Sequence, residues 1–255
     1  MKRSIWERFI RRFKKFDYSA IPRTKTEIER FIRLVPITWY QKVDLPFGIE
    51  TPGRDTGKKF EVSGIENTVK GKTVLDIGCN VGAFCFLSEK AGAGEVHGID
   101  IDPGFINTAK VLADIKKSGV KFHTVDLNGA MGYFGKGKFD ISYAFAVLHK
   151  MTGSEDQWRV LADPGYAEEL SIFENALKTI IGLTRETVFI ELTYRFRGYP
   201  GSGDKYPAYE NIDPHYFAEK YCSADYFSSI EMVGEIDNAR SGGKRRIIYK
   251  CEVAR

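Results

Sequence analysis

What the chain lacks narrows its class before any motif is read. Its four cysteines, Cys79, Cys85, Cys222 and Cys251, show neither paired spacing nor a metal-ligand pattern. A disulfide framework and a metal centre are therefore not expected, and the thiols read as reduced residues of a cytoplasmic protein. No apolar stretch approaches the roughly 20 residues that a membrane-crossing helix needs. The N-terminus has no unbroken apolar core of the kind a cleavable signal carries, and there is no internal repeat or low-complexity run. Charge of one sign is scarce overall: the net charge is +4 over 255 residues, with an ordinary hydrophobic share of 43%. That balance suits a soluble enzyme of one α/β domain with an extension, long enough to bury a substantial core.

The charge that is present is unevenly placed. Lys2, Arg3, Arg8, Arg11, Arg12, Lys14 and Lys15 face only Glu7 and Asp17 in residues 1–17, which leaves the rest of the chain close to neutral. Within that segment Ile5, Trp6, Phe9, Ile10, Phe13 and Phe16 recur at three- and four-residue steps, the pattern of a basic amphipathic helix. Three roles fit it and stay open: packing on the body, docking on an anionic membrane face or a protein partner, and contact with an RNA backbone such as that of tRNA. Next, Thr26-Glu-Ile-Glu29 has the form of a capping box ahead of Phe31, Ile32 and Leu34, predicting a second helix. Val43, Leu45, Phe47 and Ile49 alternate with polar or small residues before Thr51-Pro-Gly53, predicting an extended segment. We take residues 1–55 as an N-terminal extension and 56–255 as the main domain.

The main domain opens on Thr73-Val-Leu-Asp-Ile-Gly-Cys-Asn-Val-Gly-Ala-Phe84, which reads as a buried strand, a glycine-rich turn and a helix. A strand ending in Asp76-Ile-Gly78 exposes its last residues at the carboxyl edge of a sheet, where open α/β folds bind ligands. Gly78 and Gly82 let backbone approach a ligand with no Cβ between. Three more strand ends come in order. Glu95 to Asp100 closes on an acid placed to accept from ribose hydroxyls, Val120 to Asp126 closes on another, and Phe139 to Val147 closes on an apolar run holding Phe145. A pyrophosphate would be repelled by Asp76, and the glycine spacing departs from the dinucleotide loop.

These residues resemble the class I S-adenosylmethionine-dependent methyltransferases, whose first motif commonly reads D-x-G-C-x-x-G-x-F. The resemblance covers roughly residues 70–150. It implies S-adenosyl-L-methionine as cofactor, with Asp76, Gly78, Cys79, Asn80, Gly82 and Phe84 around the methionine moiety, Asp100 and Ile101 at the ribose, and Asp126, Leu127 and Phe145 near the adenine. Asp126 fits a helix cap as well. Cys79 fits close packing under the ligand better than a nucleophile, since no histidine or cation adjoins it. The stretch Trp39 to Gly53 resembles the segment ahead of the cofactor motif in the wobble-uridine tRNA carboxymethyltransferase-like branch, where it would form a lid or wall; a β-extension on the sheet edge fits it equally.

Further helices are predicted near Ala83–Ala91 and Pro103–Lys117, and strands at Glu186–Thr193, Phe227–Ile236 and Arg245–Val253, with Gly242-Gly243 favouring a hairpin-like connection. The expected fold is an α/β, Rossmann-like, doubly wound seven-stranded sheet, mostly parallel with its last strand antiparallel, plus an N-terminal helical extension. Lys150–Tyr166 and Tyr194–Pro214 read as irregular segments suited to specificity.

The residues after the fourth strand speak to the acceptor. Ala144-Phe-Ala-Val147 stands where amine and adenine methylators of the resembled family carry an N-P-P-Y-type loop, and the Pro-Cys pair of RNA cytosine methylators is missing. Both absences favour oxygen. His149 is the candidate general base, since an imidazole titrates near neutral pH. It stands where the tRNA branch carries a tyrosine. Tyr194, Arg195 and Arg197 are candidate acceptor contacts, the arginines for a phosphate or carboxylate. His97 and His123, inside predicted strands, read as structural, and His215 comes directly after Pro214 at a helix start. The expected function is O-methylation of a small molecule or glycan. A tRNA-modifying methyltransferase, and a methyltransferase-like scaffold that docks a partner or a membrane through its N-terminal helix, are the alternatives.

Overall fold

The computed structural model describes residues 16–154, 157–195, 215–238 and 244–255. Most of the basic amphipathic segment and the whole of 196–214, with Arg197, lie outside the described residues. Where description begins, Phe16 packs edge-on against Phe31, ring centroids 5.9 Å apart, on helix α1 (Lys25–Leu34). The capping box of that helix is built on Thr24 and Glu27, not Thr26 and Glu29: Glu27 N–H donates to Thr24 Oγ1 at 3.3 Å and Thr24 N–H to Glu27 Oε2 at 3.0 Å. Both frames fit the motif. Thr24 has the extended backbone a cap requires, and Ile28 and Phe31 then face the core.

The alternating segment folds as a tight hairpin rather than one strand. β1 (Asp44–Leu45) and β2 (Ile49–Glu50) pair antiparallel around Pro46–Gly48. Phe47 takes a left-handed φ of 64° and is 60% exposed, while Val43, Leu45 and Ile49 are buried. A short helix α2 (Gly57–Val62) comes next.

From there the chain alternates: β3 (Thr73–Ile77), α3 (Ala83–Lys90), β4 (Glu95–Asp100), α4 (Pro103–Lys116), β5 (Lys121–Thr124), α5 (Leu127–Phe134) and β6 (Phe139–Ala144). Two of the predicted strands stop early. β5 ends before Asp126, which becomes the N-cap of α5, and β6 ends before Phe145 because Ala146 turns left-handed at φ 54°. The segment expected to be irregular carries short helices α6 (Leu148–Met151) and α7 (Gln157–Ala162), ahead of α8 (Ala167–Leu183), β7 (Thr184–Arg195), α9 (Tyr216–Tyr221), β8 (Phe227–Asn238) and β9 (Lys244–Val253).

The seven long strands form one sheet in the order β5-β4-β3-β6-β7-β9-β8. β5, β4, β3, β6 and β7 are parallel, while β9 runs antiparallel to both of its neighbours, β7 and β8. Helices cover both faces. Val74, Ile141, Tyr143, Phe189 and Ile248 pack with α1 through α4; Leu75, Ile77, Phe139, Val188, Ile190 and Tyr249 pack with α5, α7, α8 and α9. The strand period of two sets this partition, except at the irregularity between Phe139 and Ile141 on β6, which puts Phe139 on the second face. Ile28 and Phe31 belong to the first of these clusters, so the described part of the N-terminal extension is fused to the sheet through a shared core.

Candidate functional site

The carboxyl ends of the parallel strands open into a cavity of about 1060 Å³, at the point where the strand order reverses between β3 and β6. The loop after β3 is held by its neighbour. Gly78 N–H and Cys79 N–H both donate to Ile99 O, at 2.8 and 2.9 Å, and Asn80 N–H donates to Asp100 Oδ2 at 3.0 Å. Gly78 has φ 72°, and its bare Cα keeps the wall open next to Val147. Ala83 N–H, at the start of α3, donates to Gln41 Oε1 at 3.1 Å, which ties the N-terminal segment to the loop.

Gly78, Asn80, Asp100, Ile101, Asp126, Leu127, Phe145 and His149, all singled out by sequence, line the cavity together. Asp100 receives Asn80 N–H on one oxygen and Asp102 N–H on the other at 2.9 Å. Each oxygen retains a lone pair for a hydroxyl. Burial raises the Asp100 pKa, and these backbone donors offset it in part. Asp126 caps Asn128 N–H at 2.9 Å through one oxygen while facing the cavity. Ile101, 60% exposed, and Leu127, Val125 and Phe105 add an apolar wall of the kind a flat heterocycle packs against.

Asp76, Cys79, Gly82 and Phe84 stand behind this wall rather than on it. Asp76 shares the parity of Val74, so it points under α3; it is 2% exposed and accepts from Cys85 Sγ at 3.4 Å. Burial pushes its carboxyl up to about 7, and from beneath it supports the loop that follows β3. Burial likewise pushes the Cys79 thiol up to about 11, which leaves it inert as a nucleophile. Gly82 (φ 87°) is required by protein packing: a Cβ there would overlap the Phe122 ring. Phe84 packs against Phe145 at 5.0 Å. His97 and His123 stack at 5.1 Å with Nδ1 of His97 and Nε2 of His123 3.0 Å apart, and His215 is an exposed N-cap of α9.

The remaining walls of the cavity come from the segment expected as a lid or wall and from residues that no sequence motif marked. Thr38, Tyr40, Gln41 and Arg54 from the Trp39 to Gly53 region and its flanks line it, with Lys150, Thr193 and Arg246. Thr193 and Arg246 are cross-strand partners on β7 and β9. Arg246 Nη1 donates to Glu191 Oε1 at 2.7 Å, and Lys59 of α2 pairs with the other oxygen. Burial alone would raise the Glu191 pKa, but the Lys59 and Arg246 charges outweigh it and hold the carboxyl below its usual range. Thr193 N–H donates to Gln157 Oε1 at 3.0 Å. Asn80 Oδ1, Thr193 Oγ1 and Arg246 Nε are buried with no hydrogen-bond partner among the described residues; each such atom costs about 1–3 kcal/mol until one arrives. Tyr194 and Arg195 close β7 opposite Arg245 and Lys244. The cue for Thr193 and Arg246 was present as the last polar residue of one predicted strand and the first residues of another, on edges that only the sheet order brings together.

The family model of the methyltransferase domain matches residues 74–163, from β3 to α7. Among curated proteins the chain is similar to the ribosomal protein L11 methyltransferase of Burkholderia thailandensis, 40% identical over 81 residues, 31% of this chain and 25% of that one. It is also similar to the same enzyme of Cupriavidus taiwanensis, 41% identical over 49 residues, 19% of this chain and 16% of that one. The chain thus spans about a quarter or less of the curated relatives it matches. Among solved structures it superposes on WbdD with TM-score 0.60 at 20% identity, covering 89% of this chain and 41% of that one. It superposes on the N-terminal domain of EvdMO1, a structure determined in the presence of SAH and D-fucose, with TM-score 0.57 at 13% identity, covering 91% and 98%. Residues 74–163 carry a methyltransferase domain, on a Rossmann-like sheet shared with these structures.

Proposed function

We propose that this protein is an S-adenosylmethionine-dependent methyltransferase that methylates a hydroxyl oxygen of a small molecule or glycan. One observation carries the reading: the cavity joins an acid-anchored end at Asp100 and Asp126 to a histidine, His149, in the first turn of α6. The residues fit the cofactor. Asp100 has acceptor capacity left for a ribose diol, Gly78 offers bare backbone, and Asn80 Oδ1 lacks a partner among the described residues. When bound, the cofactor supplies an electrophilic methyl carbon already activated by its sulfonium. The chain's own work is then to position the acceptor oxygen and exclude water, which Phe145, Val147 and Leu127 serve by lining the cavity with apolar surface. His149, half-buried, takes up the hydroxyl proton.

Calorimetric titration of S-adenosylmethionine and S-adenosylhomocysteine into the purified chain tests the reading, with a subsequent screen of hydroxylated metabolites, glycans and tRNA for methyl acceptance. His149→Ala is expected to lower turnover by about 10²–10⁴-fold with cofactor affinity nearly unchanged. A folded protein that binds neither cofactor form would overturn the proposal, and methylation of tRNA alone would move the acceptor to nucleic acid.

A further inference from the structure

We infer that the acceptor is an anion and that Arg246, with Thr193 beside it, receives its carboxylate or phosphate group. The inference rests on the methyltransferase reading and adds the chemical class of the substrate.

Charge along the cavity is polarised. Asp100 and Asp126 stand at one end; Arg54, Lys150 and Arg246 stand on its walls elsewhere, with His149 among them. The cations do not cancel locally. Glu191, with a side chain 0% exposed, is the one carboxylate paired directly with both Lys59 (14%) and Arg246 (12%); buried Asp76 is a second acid facing Lys59 alone, and Arg246 has besides Glu191 only the uncharged Tyr40 hydroxyl, so its charge is half-compensated in a largely dry place. A buried charge of that kind calls for a counter-ion. Parity puts the group on one side of the sheet. Glu191 and Thr193 are two apart on β7, and Arg246 stands directly across from Thr193 on β9.

The unpartnered atoms point to the same ligand. Arg246 has a buried Nε–H and Thr193 a buried hydroxyl, neither partnered among the described residues. Both donate, and a carboxylate or phosphate oxygen accepts. The place also separates this group from the cofactor's anchor. β9 lies four strands from β4, so Arg246 stands roughly 19 Å across the sheet from Asp100, at about 4.8 Å per strand. The acceptor's anion thus sits beyond the reacting oxygen, on the far side from the ribose.

The test uses the chain saturated with S-adenosylhomocysteine. Benzoate and inorganic phosphate serve as probes and benzyl alcohol as the uncharged counterpart, titrated calorimetrically at constant ionic strength into wild type, Arg246→Met and Thr193→Val. Arg246→Met leaves Glu191 paired with Lys59, a neutral pair, so the fold is retained. Saturable binding of the anions over the alcohol is expected in wild type, weakened about tenfold or more in Arg246→Met, with S-adenosylhomocysteine affinity unchanged. No preference for the anions in wild type, or equal anion binding by Arg246→Met, would overturn the inference. A parallel loss of S-adenosylhomocysteine affinity in Arg246→Met would overturn it too, by assigning the arginine to the cofactor's own carboxylate. Failure of the wild type to bind S-adenosylhomocysteine at all is a separate result that sinks the underlying methyltransferase reading.

Discussion

Asn80 and Asp100 are joined by a hydrogen bond from the Asn80 backbone N–H to Asp100 Oδ2 at 3.0 Å, so the residue expected to hold the ribose also fixes the loop expected to hold the methionine moiety. Asp100→Ala removes both tasks at once. A hydrogen bond to a charged group is worth about 1.5–3 kcal/mol. Cofactor affinity measured by calorimetry should therefore fall roughly 10- to 100-fold, and Asp100→Asn, which keeps one acceptor oxygen, should fall less.

Two glycines of the same domain should respond oppositely to alanine. Gly82→Ala meets both a φ of 87° and the Phe122 ring, and is expected to lower stability by about 1–3 kcal/mol. Gly129 lies in α5 with open space where a Cβ would go, so Gly129→Ala should raise stability by about 0.5–1 kcal/mol. Denaturant midpoints of the two variants against wild type check both signs.

Glu191 is the sole described acid paired with Lys59 and Arg246. Glu191→Gln leaves two cations without their carboxylate in a buried site, and a loss of about 3–5 kcal/mol is expected. Urea unfolding at neutral pH measures it, and a change below about 1 kcal/mol would show the cluster to be well solvated.

Acid should destabilise the β4–β5 edge first. Burial, then the charge of His97, brings the His123 pKa from 6.5 to about 4. The folded state therefore favours neutral His123, and the unfolded chain gains protons more readily as pH falls from about 6.5 to about 4, so stability drops across that window and levels off below it. Glu95, drawn down from 4.5 to about 2 by Lys121 and His97, extends the loss from about 4.5 to about 2. Unfolding midpoints recorded from pH 7 to pH 4 should slope less for His123→Asn than for wild type.

The fold was legible because β3 and β4 are apolar strands that end at Gly78 and at Asp100 to Pro103, and local chemistry decides such features. Asp100, Gly78 and Leu127 were legible for the same reason: a residue at a strand end in an alternating chain has its address fixed by position. Asp76 comes out behind the cavity wall, which sequence order does not foretell because it does not state parity, and one step along β3 exchanges one face of the sheet for the other. Thr24 and Thr26 offered two capping frames that differ only in backbone conformation. Arg246 and Thr193 lie 53 residues apart in sequence and meet because β9 inserts between β7 and β8, a long-range pairing with no local signature.

That insertion gives the molecule an order of assembly. Tyr143, on β6, precedes Arg246 by roughly a hundred residues, so at about 5–20 residues per second the ribosome delivers β9 some 5–20 s after the strands that frame the cofactor end. From the completion of β7, about fifty residues ahead of Arg246, its outer edge is unpaired until β9 arrives, an open template for any other extended chain. The late strand closes that edge, and it brings Arg246 into the cavity wall last.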